Sequence, residues 1–321
     1  MRMAQTALVL GATGAIGGEL AKKLFASGWQ IRALHRAPER PAGHHPAYDW
    51  RRGDAMNRAD VMGAARGASL IVHAVNPPGY RGWAERVLPM IDNTIAAART
   101  ADARIILPGT VYNYGPDAFP LIAEDAPQNP VTRKGAIRVS LEHRLATAAE
   151  NEGVRSLIVR AGDYFGGPPA NNWFHALVGP RRPPRGIRYP GRQGVGHQWA
   201  YVQDVAETML RLATAENQLP VFARYHMRGH WDEDGTRMIT AIRAAAGTHL
   251  PIRHFPWWSL RILGLAWETG RELRELSYLW QRSIRLDNTA LLSHLGSEPH
   301  TPWPQAVAHA LQASNDKAAA R

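Results

Sequence analysis

The chain has 321 residues, a formal net charge of +11 and no cysteine. That length suits one large domain, or a domain with a smaller lobe, and the missing thiols exclude a disulfide framework, an iron–sulfur cluster and a thiol nucleophile. The positive charge is nearly all arginine, Lys22, Lys23, Lys134 and Lys317 being the lysines, and it forms no basic block or stripe, so no nucleic-acid partner is expected.

The stretch MRMAQTALVLGATG enters a strand at once, without the charged region, apolar run and cleavage site of a signal peptide. No segment holds the ~18 uninterrupted apolar residues of a membrane span. A cytoplasmic protein with no membrane partner is expected.

In chain order, apolar runs alternate with amphipathic stretches. TALVLG (6–11) is a short apolar run closed by glycine, which predicts a buried strand. AIGGELAKKLFASG (15–28) has apolar residues at helical spacing and stops at Gly28, a C-cap position. WQIRALHR (29–36) and ASLIVHAV (68–75) read as strands, VLPMIDNTIAAARTA (87–101) as a helix, and RIILPG (104–109) as the strand after it. RVSLEHRLATAAENEG (138–153) predicts a helix ended by Gly153, and VRSLIVRAG (154–162) a further strand. Strands apolar on both faces, alternating with helices, mean a parallel sheet covered on two sides: the α/β doubly wound architecture that binds nucleotides.

After Gly162 the texture changes. GGPPANNW, GPRRPPRGIRYPGRQG and PHTPWP are rich in Pro, Gly and Arg, and they alternate with helical stretches near 203–215, 234–246, 257–281 and 304–314. A smaller, mostly helical C-terminal lobe over the strand ends is expected. Trp257, Trp258, Trp267, Trp280 and Trp303 all fall in it, as core, subunit interface or substrate wall.

GATGAIGG sets Gly11, Gly14 and Gly17 three apart between the first strand and the first helix. The first permits a tight turn, the second lets backbone approach a pyrophosphate, and the third lets the helix pack on the strand with its dipole aimed at the phosphates. With this loop in place the chain resembles, over almost its whole length, the extended short-chain dehydrogenase/reductases, also called the NAD-dependent epimerase/dehydratase family. GDAMN (53–57) is similar to the family's Gly-Asp turn after the third strand, and RIILPGTVYNYG (104–115) to its strand ending in Ser/Thr with Tyr-Gly following. LIVRAGDYFGGP (157–168) and HQWAYVQDVAETML (197–210) resemble later family segments.

The resemblance implies a Rossmann domain over residues 1–165 and a substrate-binding lobe over 166–321, with segments at about 200–228 returning to the sheet. It implies an adenine contact at Asp54, the catalytic hydroxyl at Thr110, and dinucleotide contacts at Thr13, Ala15, Ile16, Ala74 and Asn76 beside the glycines. A small-molecule substrate and a homodimer are implied as well. The second strand ends in ALHR, where a carboxylate would suit a free ribose 2′-hydroxyl; His35 and Arg36 supply no acid, and a planar cation suits a 2′-phosphate. NADP is therefore expected rather than NAD.

The family's catalytic pair is Tyr-x-x-x-Lys on a helix, the lysine four residues before a Glu. This chain has no Tyr-x-x-x-Lys. Aligned on Glu142, Lys134 stands in the tyrosine's place and Arg138 in the lysine's, one turn apart on one helix face. Three accounts stay open. Lys134, crowded by Arg138 and Arg133, acts as general acid and also holds cofactor, while Thr110 orients a carbonyl or activated double bond for reduction by NADPH. Or the three cations are surface charges, with Arg138–Glu142 an i,i+4 pair, and the protein is a dinucleotide-binding sensor. Or the protein is an NAD-dependent sugar-nucleotide epimerase or dehydratase. Tyr164 and Tyr112 are reserve proton donors or pocket walls. His226 and His230, four apart before Asp232, Glu233 and Asp234, lack the H-E-x-x-H pattern and read as a polar loop, so no metal is expected.

Overall fold

A computed structural model describes residues 5–39, 44–77, 82–167, 172–180, 183–259, 270 and 274–319. In chain order the first part runs β1 (Thr6–Leu10), α1 (Ala15–Ala26), β2 (Gln30–His35), β3 (Asp49–Arg52), α2 (Arg58–Ala65), β4 (Leu70–His73), α3 (Trp83–Ala101), β5 (Arg104–Gly109), β6 (Leu121–Ile122), α4 (Arg133–Glu152) and β7 (Ser156–Arg160). Then follow β8 (Asp163–Phe165), α5 (Trp173–Val178), β9 (Ile187–Tyr189), β10 (His197–Tyr201), α6 (Val202–Thr214), β11 (Phe222–His226), β12 (His230–Asp232), α7 (Arg237–Ala246), β13 (Ile252–His254), β14 (Arg285–Leu286), α8 (Thr289–Leu295) and α9 (Trp303–Ala319).

Seven strands form one sheet in the order β11-β7-β5-β4-β1-β2-β3, every pair parallel. Alternation along each strand sends neighbouring side chains to opposite faces. Ala7, Val9, Val72 and Leu157 therefore pack against Leu20 and Leu24 of α1 and Val205 and Met209 of α6. Leu8, Leu10, Ile71 and Ile158 pack against Val61 of α2, Ile91 of α3 and Leu141 and Leu145 of α4. Both faces are buried, which is why these strands read as unbroken apolar runs; each such Val, Leu or Ile side chain contributes about 1.5–3 kcal/mol on burial. β3 is the exception. It is a mostly exposed edge strand, DWRR, with no apolar pattern for a reader of the sequence to find.

Two expected boundaries move. The helix read from residue 138 starts at Arg133, where Thr132 caps it by accepting the Gly135 N–H at 3.0 Å. Its first turn carries Arg133 and Lys134, which hide the helical pattern from a hydrophobicity count. The helix read over 257–281 lies largely outside the described residues, as does Trp267; its described end is a 3-10 turn, Leu276–Trp280.

The later segments carry helices and two small sheets, β12-β10-β8 and β13-β9, around an aromatic core, and β14 pairs with the earlier β6. Trp280 stacks on His197 with ring centroids 3.7 Å apart, Trp257 and Phe255 pack on Trp173, and Trp303 lies on Phe165. Trp258 is exposed. Among the described residues no helix is long and apolar enough to cross a membrane.

Candidate active site

The glycine loop joins β1 to α1 at the centre of the sheet, where strand order reverses and ligand crevices form. Gly11 has φ +95°, and a Cβ there would lie 2.5 Å from the Ala74 carbonyl oxygen. A Cβ on Gly17 would lie 2.4 Å from the Gly11 oxygen. Only glycine lets the loop, the end of β4 and the first turn of α1 close up this tightly. Gly14 precedes α1 without any side-chain cap, so the first amides of the helix, those of Ala15, Ile16 and Gly17, are left for an external acceptor.

Above this loop lies a cleft of about 450 Å³. Of the expected dinucleotide contacts, Gly11, Thr13, Gly14, His35, Arg36, Asp54, Ala74 and Asn76 line it. Ala15, Ile16, Gly17 and Lys134 are not on its wall; the first three form the helix turn behind it. At the far end Arg36 is exposed, and the His35 Nδ1 accepts the Ala37 N–H at 3.1 Å, which leaves the neutral ring protonated on Nε2. The Asp54 carboxylate accepts the Met56 N–H at 3.0 Å, and the Asp54 N–H binds Asp60 at 2.9 Å, fixing the Gly-Asp turn. Arg86 also lines the cleft, a cation that no motif singles out.

The other end is built by α3 and α4. A Cβ on Gly135 would lie 2.2 Å from the Tyr112 carbonyl oxygen, so α4 presses its first turn onto the loop after β5. That contact buries Lys134 and Arg138 almost completely, at 1% and 4% exposure. Both cations lie over the Trp83 indole, with Lys134 Nζ 5.4 Å and the Arg138 guanidinium carbon 5.1 Å from its centroid. Arg138 donates to Asn76 Oδ1 at 2.8 Å, which ties it to the cleft wall. Burial holds its guanidinium below the ordinary arginine value, opposed by Tyr112, Glu142 and Tyr164. The surface-charge account therefore holds for Arg133 alone, and the expected Arg138–Glu142 pair does not form.

Glu142 belongs to a different partner. Its carboxylate is gripped by the Arg160 Nη2 at 2.9 and 2.7 Å, with both residues buried. Burial works against the Arg160 charge; Glu142 and Tyr114 together more than offset it and carry its pKa above the ordinary value. Arg160 also donates to the Thr110 carbonyl and, through Nε, to His226 Nε2 at 3.1 Å. His226 gives its Nδ1–H to the Ile122 carbonyl at 3.2 Å, so it is neutral, and burial holds its pKa well below normal. The expected polar loop at 226–232 is thus two buried strand ends. His226 serves this network, while the His230 Nε2 binds the Thr301 carbonyl at 2.7 Å. Among the described residues, Asp204, His230 and His300 bring ligand atoms within 4.8 Å of one another, but both Asp204 oxygens already hold Thr301.

Thr110 follows β5, and its hydroxyl donates to Asn113 Oδ1 at 3.2 Å. His73 ends β4; Thr94 spends its hydroxyl proton on the Met90 carbonyl, so His73 must donate Nδ1–H to Thr94, at 2.8 Å. Burial first, and Arg138 second, push His73 down to about 3. The Tyr164 hydroxyl is buried without a partner among the described residues; burial raises its pKa, opposed by Arg138 and Arg160. Trp83, His73, Asn113, Gln128 and Arg160 were not identified from the sequence. Arg160 alone left a signal, a charged residue closing the otherwise apolar run SLIVR.

These residues fit a dinucleotide. The loop has no room for a Cβ at Gly11 or Gly17, free helix amides face the phosphate position, and the buried Arg138 Nε lacks a partner among the described residues. A family model for the NAD dependent epimerase/dehydratase family matches residues 7–226. The dTDP-6-deoxy-L-talose 4-dehydrogenase (NAD(P)(+)) of Kitasatospora kifunensis is 28% identical over 182 residues, 53% of this chain and 55% of that protein. The chain thus spans about half the length of the curated relative it matches. Solved structures also match nearly end to end, among them two 4-epimerases. UDP-glucose 4-epimerase of Thermus thermophilus, in complex with NAD, aligns at TM-score 0.73 and 18% identity, over 97% of this chain and 99% of that one. UDP-glucuronic acid 4-epimerase of Bacillus cereus, in complex with NAD, aligns at 0.76 and 15%, over 97% of each chain. At such identities these likenesses speak for the fold. With the family pattern matched along a sheet, loop and cleft of this geometry, the chain belongs to the NAD dependent epimerase/dehydratase family.

Proposed function

We propose that the protein is an NAD(P)-dependent oxidoreductase acting on a hydroxyl-bearing or ketonic carbon of a nucleotide-linked sugar. The observation that carries this reading is the Arg138–Asn76 bond. It ties the buried Arg138 to the wall of a dinucleotide-shaped cleft, with the buried Lys134 one helical turn before it, and this supports reading the two cations at the family's lysine and tyrosine positions. Burying two cations side by side carries a desolvation cost of several kcal/mol, which a surface role would not require. The sugar-nucleotide class follows the curated relative, which is a dTDP-sugar 4-dehydrogenase.

In this reading the amides of α1 and the loop glycines hold the pyrophosphate, Asp54 the adenine end, and Arg138 the nicotinamide ribose. The bound nicotinamide supplies hydride chemistry. Lys134 exchanges the substrate proton in place of tyrosine, and Trp83 fixes its position. With no acid at the end of β2 and Arg36 on the cleft wall, NADP is the proposed form of the cofactor.

The test is a panel of dTDP- and UDP-sugars, with simple carbonyls as controls, incubated with each dinucleotide and followed by nicotinamide absorbance. Lys134→Ala should lower turnover by roughly 100-fold or more and leave cofactor affinity nearly unchanged. Wild-type turnover in that variant would refute the proton role. Binding of dinucleotide with no turnover of any sugar or carbonyl would instead support the sensor reading, which the missing Tyr-x-x-x-Lys favours.

A further inference from the structure

We propose that a buried hydrogen-bond relay locks the Thr110 hydroxyl with its proton turned inward, so that Thr110 offers the reacting group an acceptor and the site holds the carbinol form of its substrate in preference to the carbonyl form. The choice of reacting group rests on the function proposed above; the polarity of the relay stands on this chain's own atoms.

The relay is read from its charged end. The Glu142 carboxylate has no proton to give and is held by Arg160 at 2.9 and 2.7 Å. Gln128 lies 3.0 Å from Glu142 Oε2, so its NH₂ must face the carboxylate. Its Oε1 then faces the other way, where it receives the Asn113 NH₂ at 3.1 Å. That orientation turns Asn113 Oδ1 toward Thr110, whose hydroxyl is its donor at 3.2 Å. Neither amide can flip alone. Flipping Asn113 sets its oxygen against Gln128 Oε1, and flipping Gln128 sets its oxygen against a carboxylate. The backbone is pinned as well, because the Thr110 carbonyl accepts from Arg160. Asn113 is fully buried, so water does not compete for its amide.

A threonine hydroxyl has one proton and two lone pairs. With the proton committed to Asn113, only lone pairs face outward, where Thr110 is partly exposed. A substrate hydroxyl can donate to them. A carbonyl oxygen in the same place meets lone pair against lone pair, unless Thr110 turns and leaves buried Asn113 Oδ1 unsatisfied. One unsatisfied buried acceptor corresponds to roughly tenfold in affinity or more. The relay thus makes Asn113 and Gln128 positioning residues that act through Thr110. Net flux still follows the dinucleotide ratio; what the relay sets is which partner is held more tightly.

Two measurements test this. Neutron diffraction from crystals of the perdeuterated protein should place the Thr110 deuteron on the line to Asn113 Oδ1; a deuteron directed away from Asn113 overturns the proposal. Calorimetry on protein holding ADP-ribose, which fills the cleft without a transferable hydride, should find dTDP-6-deoxy-L-talose bound roughly tenfold tighter than its 4-ketone. Gln128→Met, at a half-buried position, frees the Asn113 amide to turn and should bring the two affinities to within about threefold. Equal wild-type affinities, or an unchanged ratio in Gln128→Met, overturn the proposal. If neither sugar binds, the proposed substrate is wrong, and the neutron map decides the polarity without it.

Discussion

The site turns on a few atoms that leave no room for substitution. Gly17 sits where a single added carbon would meet the Gly11 carbonyl at 2.4 Å. That contact is backbone rather than a flexible side chain, so Gly17→Ala should destabilise the fold by about 1–3 kcal/mol and sharply weaken dinucleotide binding, as thermal melts and fluorescence titration would show. Arg36 is the opposite case, an exposed residue whose replacement leaves the fold intact. Arg36→Ala should weaken NADPH roughly tenfold and NADH little; equal losses for both would refute the 2′-phosphate assignment. Both Gly11 and Gly17 were legible as a motif, because spacing in sequence is spacing in the loop. The Trp83 platform was not. It comes from α3, while the cations it carries come from α4, and no local pattern joins them.

At the scale of elements, the Glu142–Arg160 pair couples α4 to β7 and carries the loop after β5 with it. Removing one partner leaves a buried charge uncompensated. Glu142→Ala should therefore cost about 3–5 kcal/mol in urea unfolding, whereas the double change Glu142→Leu with Arg160→Met should cost much less. If the double variant is as unstable as the single, the pair stabilises the fold by more than charge balance. Periodicity found the helix body of α4 but not its start, because its first turn opens with two cations, of which Lys134 is buried and Arg133 exposed. It found the inner strands and missed β3, since an edge strand needs no apolar alternation to hold its ladder.

For the molecule as a whole, buried neutral histidines set the acid limit. His73 is pushed down to about 3 and His230 to about 4, chiefly by burial, and His226 lies well below its normal value. Each binds a proton more readily unfolded than folded. Stability is therefore complete above the unfolded value near 6.5 and falls as pH drops through the window toward 3 or 4. The loss is about 1.4 kcal/mol per pH unit for each histidine within its own window. His73→Gln should flatten the slope of unfolding free energy between about pH 6 and pH 4 by close to that amount; an unchanged slope would mean that His73 charges without unfolding.

The alternating strands and helices, the glycine loop and the family were settled by the sequence alone, because each depends on neighbours within a few residues or on a strict period. The partner of each charge was settled only in three dimensions. Glu142 looked toward Arg138 along one helix and is bound instead by Arg160 from the sheet. Lys134 and Arg138, open to a reading as solvated charge, lie buried on Trp83. A charge binds whatever donor the tertiary fold brings within hydrogen-bond reach, and sequence distance places no limit on which residue that is.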